Sequence, residues 1–339
     1  MELAIIGTSA IMTTFLAAVK QCDDIHLKAV YSRSLDKARA FSQRYGAELA
    51  FDDLQAMADC PEIDAVYIAS PNSAHCGQAL TCLRAGKAVL CEKTMGANAW
   101  EAREMFDTAH KQGVLLMEAV RSLYDPGFLA IKELLPKLGA IHQVQFSMCQ
   151  YSSRYDKYKA GEILNIFKTS CAAGALTDIG VYCVEPLVAL FGRPEKIQAS
   201  AIILEKARID GAGVILADYP GMTAVVTYSK MTDSQAPCEI LGEKGTLSID
   251  SIHTPRNLTL RYLDGRTETI QPVSDGTGGV GPANMPTNMI YEIQTFSQYY
   301  KEGVIRCANE DTTLLSLELM DEVRAQAGIH FPMDRRIAE

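Results

Sequence analysis

Apolar residues in the first third of the chain fall into short continuous runs, separated by longer stretches in which they recur every three or four positions. The continuous runs are 3–7, 26–31, 64–69, 88–91 and 114–117. They are short and largely apolar, which predicts strands buried on both faces. The stretches between them read as helices. Residues 13–22 carry Phe15, Leu16 and Val19 on one face, and residues 35–45 are closed by Gly46. Residues 74–85 are closed by Gly86, and a further helix is capped by Asn98 and stops before Gly113. Regular alternation of strand and helix predicts an α/β Rossmann domain over residues 1–118, a parallel sheet covered on both sides.

After Glu118 the pattern changes. One helix, 126–135, precedes strand-like runs at 140–151, 196–204, 213–217, 222–229, 238–241, 245–248, 258–262 and 267–270. Turn signals at Pro220-Gly221, Gly242 to Gly245 and Asp264-Gly265 separate neighbouring runs, so adjacent strands are expected to be antiparallel. Helices at 177–191, 289–301 and 311–327 complete the region. Residues 119–339 therefore read as an α+β domain with a large, mainly antiparallel sheet. The glycine-rich stretch 274–281 reads as a surface connection in preference to a lid.

Composition narrows the function. At 339 residues, 48% hydrophobic and 22% charged, the chain has apolar material for two ordinary cores. Lys and Arg number 32 against 41 Asp and Glu, a net charge of −9, which argues against a nucleic-acid surface. The ten cysteines form neither a Cys-x-x-Cys pair nor a zinc-like cluster with histidine, so no metal site is expected and the usage suits a reducing cytoplasm. The opening Met-Glu-Leu-Ala-Ile-Ile-Gly has no signal-peptide pattern, and no stretch of about 18 apolar residues is read that would span a membrane.

Candidate chemistry gathers where strands end. Gly7-Thr8-Ser9-Ala10-Ile11-Met12 follows the first strand as a phosphate-binding turn would. Only Gly7 matches the glycine fingerprint; Ser9 is small enough to admit a pyrophosphate, and Met12 stands where a small residue is usual. The second strand ends in Ser32-Arg33-Ser34, with no acid to hold ribose hydroxyls and a guanidinium able to bind a 2′-phosphate. This favours NADP, with NAD as the alternative. Ser70, Pro71 and Asn72 follow the third run, and His75 either faces the cofactor or packs the helix start. Glu92-Lys93-Thr94 follows the fourth, placing a lysine where it can orient substrate or polarise a carbonyl. Farther on, Asp178 and Tyr182 sit four residues apart on one helix face, and a tyrosine hydroxyl is a plausible proton donor to a carbonyl.

In order and spacing these pieces resemble the Gfo/Idh/MocA oxidoreductases, with further likeness to their dihydrodiol dehydrogenase branch at Met117-Glu118-Ala119, Arg121 and Met289 to Glu292. The resemblance spans essentially the whole chain. It implies that Lys93 lies near the nicotinamide and that Asp178 and Tyr182 form the pair on the substrate-domain helix. Tyr182 would then donate or accept the proton, assisted by Lys93, with Glu92 orienting the lysine or the cofactor. It also implies a homodimer or homotetramer built on the C-terminal sheet. Thr94 stands at the family's proline, and a cis peptide before any residue but proline is intrinsically costly. The expected activity is hydride transfer between a nicotinamide and a sugar, polyol, diol or dicarbonyl. The alternatives are a non-catalytic NAD(P)-sensing or sugar-binding regulator and an enzyme that recycles a tightly bound NAD.

Overall fold

The computed structural model describes residues 1–272 and 288–337, with side chains to 334. The stretch 274–281 lies outside the described residues. The chain divides into two compact units, so that residues 1–121 and 288–311 form one and residues 122–272 and 312–337 the other.

The first unit opens with β1 (Glu2–Ile6), α1 (Ala10–Val19), β2 (His26–Tyr31), α2 (Leu35–Tyr45), β3 (Leu49–Phe51), α3 (Leu54–Ala58), β4 (Ala65–Ile68), α4 (Asn72–Arg84), β5 (Ala88–Glu92), α5 (Ala99–Gln112) and β6 (Leu116–Ala119). Its six strands are parallel, in the order β3-β2-β1-β4-β5-β6. The strand order reverses between β1 and β4, so a crevice for a ligand opens beyond their carboxyl ends. β3 and α3 escape the hydrophobic pattern because a three-residue strand and a five-residue helix carry too few periods to register. Local chemistry sets the helix limits. Ser34, Asp53 and Asn98 accept first-turn amides, and Gly46 and Gly113 end their helices at φ of 81° and 66°. Phe15 of α1 stacks on Tyr67 of β4 with centroids 3.5 Å apart, closing the core over β1.

The second unit holds α6 (Pro126–Leu134), β7 (Ile141–Cys149), α7 (Ser153–Lys159), a π-helical turn Leu176–Gly180, α8 (Val181–Phe191), β8 (Lys196–Leu204), β9 (Ile209–Tyr219), β10 (Met222–Ser229), β11 (Cys238–Gly242), β12 (Gly245–Ile249), β13 (Leu258–Tyr262) and β14 (Thr267–Ile270). The eight strands run β14-β13-β12-β11-β7-β10-β9-β8, and only the β7–β10 pair is parallel. The expected large antiparallel sheet is present. One sheet face carries Ile202, Val214 and Leu216 at 58%, 39% and 37% exposure. The sequence reading missed one stretch: Thr169–Phe191 is helical and apolar enough by length and composition to cross a membrane. That stretch is 72% buried inside the unit, as a core helix is.

The last two helices, α9 (Met289–Glu302) and α10 (Glu310–Gln326), diverge. α9 packs with the first unit, where Lys301 and Ser297 both reach the Asp24 carboxylate and Ile290, Ile293 and Phe296 are buried. α10 lies along β8, with Gln326 accepting from the Ala199 amide at 2.8 Å and donating to the Ile197 carbonyl at 3.1 Å. The division between the units is thus not a single cut in the chain.

Candidate active site

In the first unit every strand-end motif falls on the same edge of the parallel sheet. Gly7 leaves β1 with φ +110°, and a Cβ there would stand 2.8 Å from the Ala69 carbonyl oxygen. Only glycine fits that conformation and that approach. Behind it, Thr8, Ser9 and Ala10 are exposed, and α1 begins with neither a side-chain cap nor an acidic residue in its first turn. The Met12 amide donates to the Ser9 carbonyl at 3.1 Å, and the helix dipole favours an anion at this uncapped start. This fits a dinucleotide pyrophosphate. Ile11 is half-buried, while Met12, the departure from the fingerprint, is wholly buried in the core. Ser32 is half-buried, and its hydroxyl accepts from the Ser34 amide at 3.4 Å. Arg33 is exposed and has no hydrogen-bond or ion-pair partner among the described residues.

The ends of β4 and β5 are tied together. His75 is wholly buried, with Nδ1 2.9 Å from the Thr94 carbonyl oxygen and Nε2 2.9 Å from that of Ser70. Burial holds its pKa below the usual histidine range against the pull of these carbonyls, and the Lys93 charge adds to the depression. These contacts tie the loop that follows β4 to the loop that follows β5. Ser70 donates to Gln78 Oε1 at 2.7 Å, Pro71 precedes α4 at its N-cap, and Asn72 Nδ2 donates to Thr94 Oγ1 at 3.2 Å. The Lys93–Thr94 peptide is cis although no proline follows. Beyond it, the Met95 amide donates to Glu118 Oε1 at 2.6 Å and the Ala97 amide to Glu101 Oε2 at 2.8 Å. Buried carboxylates thus hold this loop by its backbone.

Lys93 is half-buried, and its amide donates to Glu92 Oε2 at 3.2 Å. Tyr67 donates to Glu92 Oε1 at 2.5 Å. Burial raises the Glu92 pKa, while Tyr67, Lys93 and Arg121 act against the rise. Glu292 of α9 is wholly buried, with neither carboxylate oxygen hydrogen-bonded among the described residues. Burial first, then the neighbouring Glu92 charge, push its pKa well above the carboxylate range, with Arg121 acting against the rise. A cavity of about 390 Å³ lined by Leu16, Val19 and Tyr45 opens near the amino ends of β1 and β2, away from these residues.

In the second unit Asp178 lies in the π-helical turn and Tyr182 in the first turn of α8. π-Helical turns often mark functional sites. This one is held at its start by the buried carboxylate of Asp210, which accepts the Leu176 amide at 2.6 Å. Burial pushes the Asp210 carboxyl up to about 6, against the backbone amides and Arg324. Gly180 meets the ring of Tyr228, where an added Cβ would stand 3.1 Å away. Gly180 is therefore a close-approach residue.

Sequence reading passed over two residues here. Lys230, just past β10 and 5% exposed, forms an ion pair with Asp178. His253 lies with its ring centroid 5.7 Å from that of Tyr182 and its Nδ1 2.6 Å from Ser251 Oγ. The signal for Lys230 was available, since it follows an apolar strand just as Lys93 does. His253 sits in an irregular loop that no periodicity marks.

Comparison with known proteins places this geometry. Residues 1–120 match the family model described as an oxidoreductase family with an NAD-binding Rossmann fold, and residues 128–248 match the GFO/IDH/MocA C-terminal domain. The chain is 42% identical over 335 residues to the NADP(+)-dependent scyllo-inositol 2-dehydrogenase IolU of Bacillus subtilis, covering 98% of each chain. It is 31% identical over 332 residues to the trans-1,2-dihydrobenzene-1,2-diol dehydrogenase of Mus musculus, covering 96% of this chain and 95% of the relative. KijD10, a 3-ketoreductase from Actinomadura kijaniata solved with NADP and TDP-benzene, shares the fold with a TM-score of 0.83 at 23% identity, over 98% of this chain and 99% of that one.

Proposed function

The chain belongs to the Gfo/Idh/MocA family of nicotinamide-dependent oxidoreductases, and from that premise we propose that it moves a hydride between NADP and a CH–OH or carbonyl carbon of a sugar, polyol, diol or dicarbonyl. The observation that carries the proposal is the shared sheet edge of the first unit. There Gly7, Ser32-Arg33, Ser70 to Asn72 and Glu92-Lys93 follow the carboxyl ends of four neighbouring parallel strands.

The residues divide by role. Gly7, Thr8, Ser9, Ala10 and Ile11 present the uncapped start of α1 to the pyrophosphate. Ser32 and Arg33 take the 2′-phosphate, and the absence of an acid beside them supports NADP over NAD. Ser70, Pro71 and Asn72 line the nicotinamide side of the crevice, with His75 holding their loop to that of Lys93. When bound, the cofactor supplies the hydride acceptor or donor carbon. Tyr182 passes the proton at the substrate oxygen, Lys93 contributes a positive charge that favours the oxyanion, and Asp178 accepts a substrate hydroxyl. Glu92 supports the Lys93 backbone.

The exposed apolar positions Ile202, Val214 and Leu216 support a homodimer or homotetramer built on the open sheet face. All ten cysteines are free, which supports a cytoplasmic setting. The test is NADP(+) reduction with a panel of inositols, aldoses and vicinal diols, and NADPH oxidation with dicarbonyls, each repeated with NAD(H). Turnover with at least one polyol and a preference for NADP is expected. Tight NADP binding without turnover on any member would overturn the reading.

A further inference from the structure

We infer that Lys230 is a positioning residue for the proposed chemistry, fixing the Asp178 carboxylate on the helix face that carries Tyr182. The inference rests on the oxidoreductase reading above and adds a residue to it. A lysine at 5% exposure is uncommon, because an ammonium loses its hydration on burial unless a counter-charge and hydrogen bonds replace it. Here the counter-charge is Asp178, whose own side chain is 32% exposed. The pair is thus asymmetric, with the cation enclosed and the anion reaching the surface of the unit. A buried cation behind a partly exposed carboxylate orients that carboxylate toward whatever approaches from outside.

The backbone on both sides of the pair is held. At Lys230 the amide donates to the Gly211 carbonyl at 2.9 Å, and the carbonyl accepts the Ser152 amide at 3.0 Å. The hydroxyl of Ser229 accepts the amides of Met231 and Thr232, both at 3.0 Å, which fixes the turn that follows. On the Asp178 side, Asp210 holds the start of the turn at Leu176, and Gly180 packs against Tyr228, two residues before Lys230. The lysine and the carboxylate therefore sit on two elements already locked in contact, with little freedom to part. Asp178 then serves as an oriented hydrogen-bond acceptor for a substrate hydroxyl, and the proton transfer falls to Tyr182, one helical turn away.

The experiment is a double-mutant cycle on kcat and KM in the NADP(+) assay, using Lys230→Met, Asp178→Asn and the double variant. Lys230→Met is expected to lower kcat/KM on the order of 10- to 100-fold, the scale of a misplaced polar group in an active site. In the Asp178→Asn background the same change is expected to have almost no further effect, because its route runs through Asp178. Lys230→Ala supplied with methylammonium or ethylammonium is expected to recover part of the lost kcat, which a general loss of folding would not allow. The double variant carries no unpaired buried charge and guards against collapse of Lys230→Met. Wild-type kcat/KM in Lys230→Met, or effects of the two substitutions that multiply, would overturn the inference while leaving the oxidoreductase reading standing. Absence of turnover by the wild type would overturn the reading, and this role for Lys230 with it.

Discussion

Two lysines follow two apolar strands in this molecule, and they come to different ends. Lys93 leaves β5 half-buried, beside a carboxylate whose pKa is raised, in a loop held by buried glutamates. Lys230 leaves β10 almost fully enclosed and committed to Asp178. The local sequence context is similar, yet one lysine is half-buried at the end of a parallel strand while the other is enclosed against a carboxylate. The first unit gathers its candidate site from consecutive strand ends of one parallel sheet. The second gathers its own from residues 178, 182, 230 and 253, brought together by a π-helical turn and the close packing of Gly180 on Tyr228.

The largest expected effects test whether each unit supplies an indispensable group. Lys93→Met and Tyr182→Phe are each predicted to lower kcat by about 10²- to 10⁴-fold, the range for a lost proton-transfer or charge-stabilising group. NADP affinity, measured by fluorescence titration, is predicted to stay within a few-fold for Tyr182→Phe. A kcat unchanged in either variant would remove that residue from the chemistry.

Gly7→Ala comes next, because it strikes the first unit where the backbone leaves no room. The substituted residue would be strained at φ +110°, and its Cβ would press on the Ala69 carbonyl. A loss of about 2–4 kcal/mol is expected, combining an unfavourable backbone region with overpacking. It should appear as a lowered thermal midpoint and a raised Kd for NADP.

In the second unit the matching probe is Asp210, whose carboxyl is pushed up to about 6 by burial. Its folded pKa exceeds its unfolded value of about 3.9, so its contribution to stability is complete below that value and is lost as pH rises through about 6. Asp210→Asn keeps an acceptor for the Leu176 amide and removes the titration. Compared with Asp210→Asn, the wild type should lose up to about 3 kcal/mol between pH 4 and pH 7, read by urea unfolding at each pH. Parallel stability curves for the two proteins would show that Asp210 does not titrate in that window.

The smallest effect concerns cofactor choice. Arg33→Ala is predicted to lower the ratio of NADP to NAD kcat/KM by about tenfold, roughly 1.4 kcal/mol, as an exposed guanidinium–phosphate contact is lost. An unchanged ratio would mean that Ser32 and the backbone carry the preference.

The first unit's architecture was readable because a parallel sheet writes itself as repeated apolar runs and helices with their own caps. The strand order placed each run's carboxyl end, and so its motif, on one edge. What the pattern missed there, β3 and α3, was too short to show a period. Met12 looked like a defect in the phosphate turn and proved to be a buried core residue. His75 could be weighed between two roles in sequence, and its two carbonyl neighbours came to light only in the structure. In the second unit the strands were legible one by one, although the parallel pairing of β7 with β10 was not, because pairing between distant segments leaves no local trace.

By itself the sequence determined the class of the fold, the positions of most strands and helices, and the residue types offered at strand ends. These follow from periodicity, capping and turn chemistry, which act over a few residues. Only the tertiary structure decided which polar groups are enclosed and what answers them. It put α9 with the first unit, set the buried Glu292 carboxyl near Glu92, and set Lys230 behind Asp178. The reason is physical: burial and the partner of a charge depend on segments far apart in the chain, and the free energy of a buried charge is set by those neighbours.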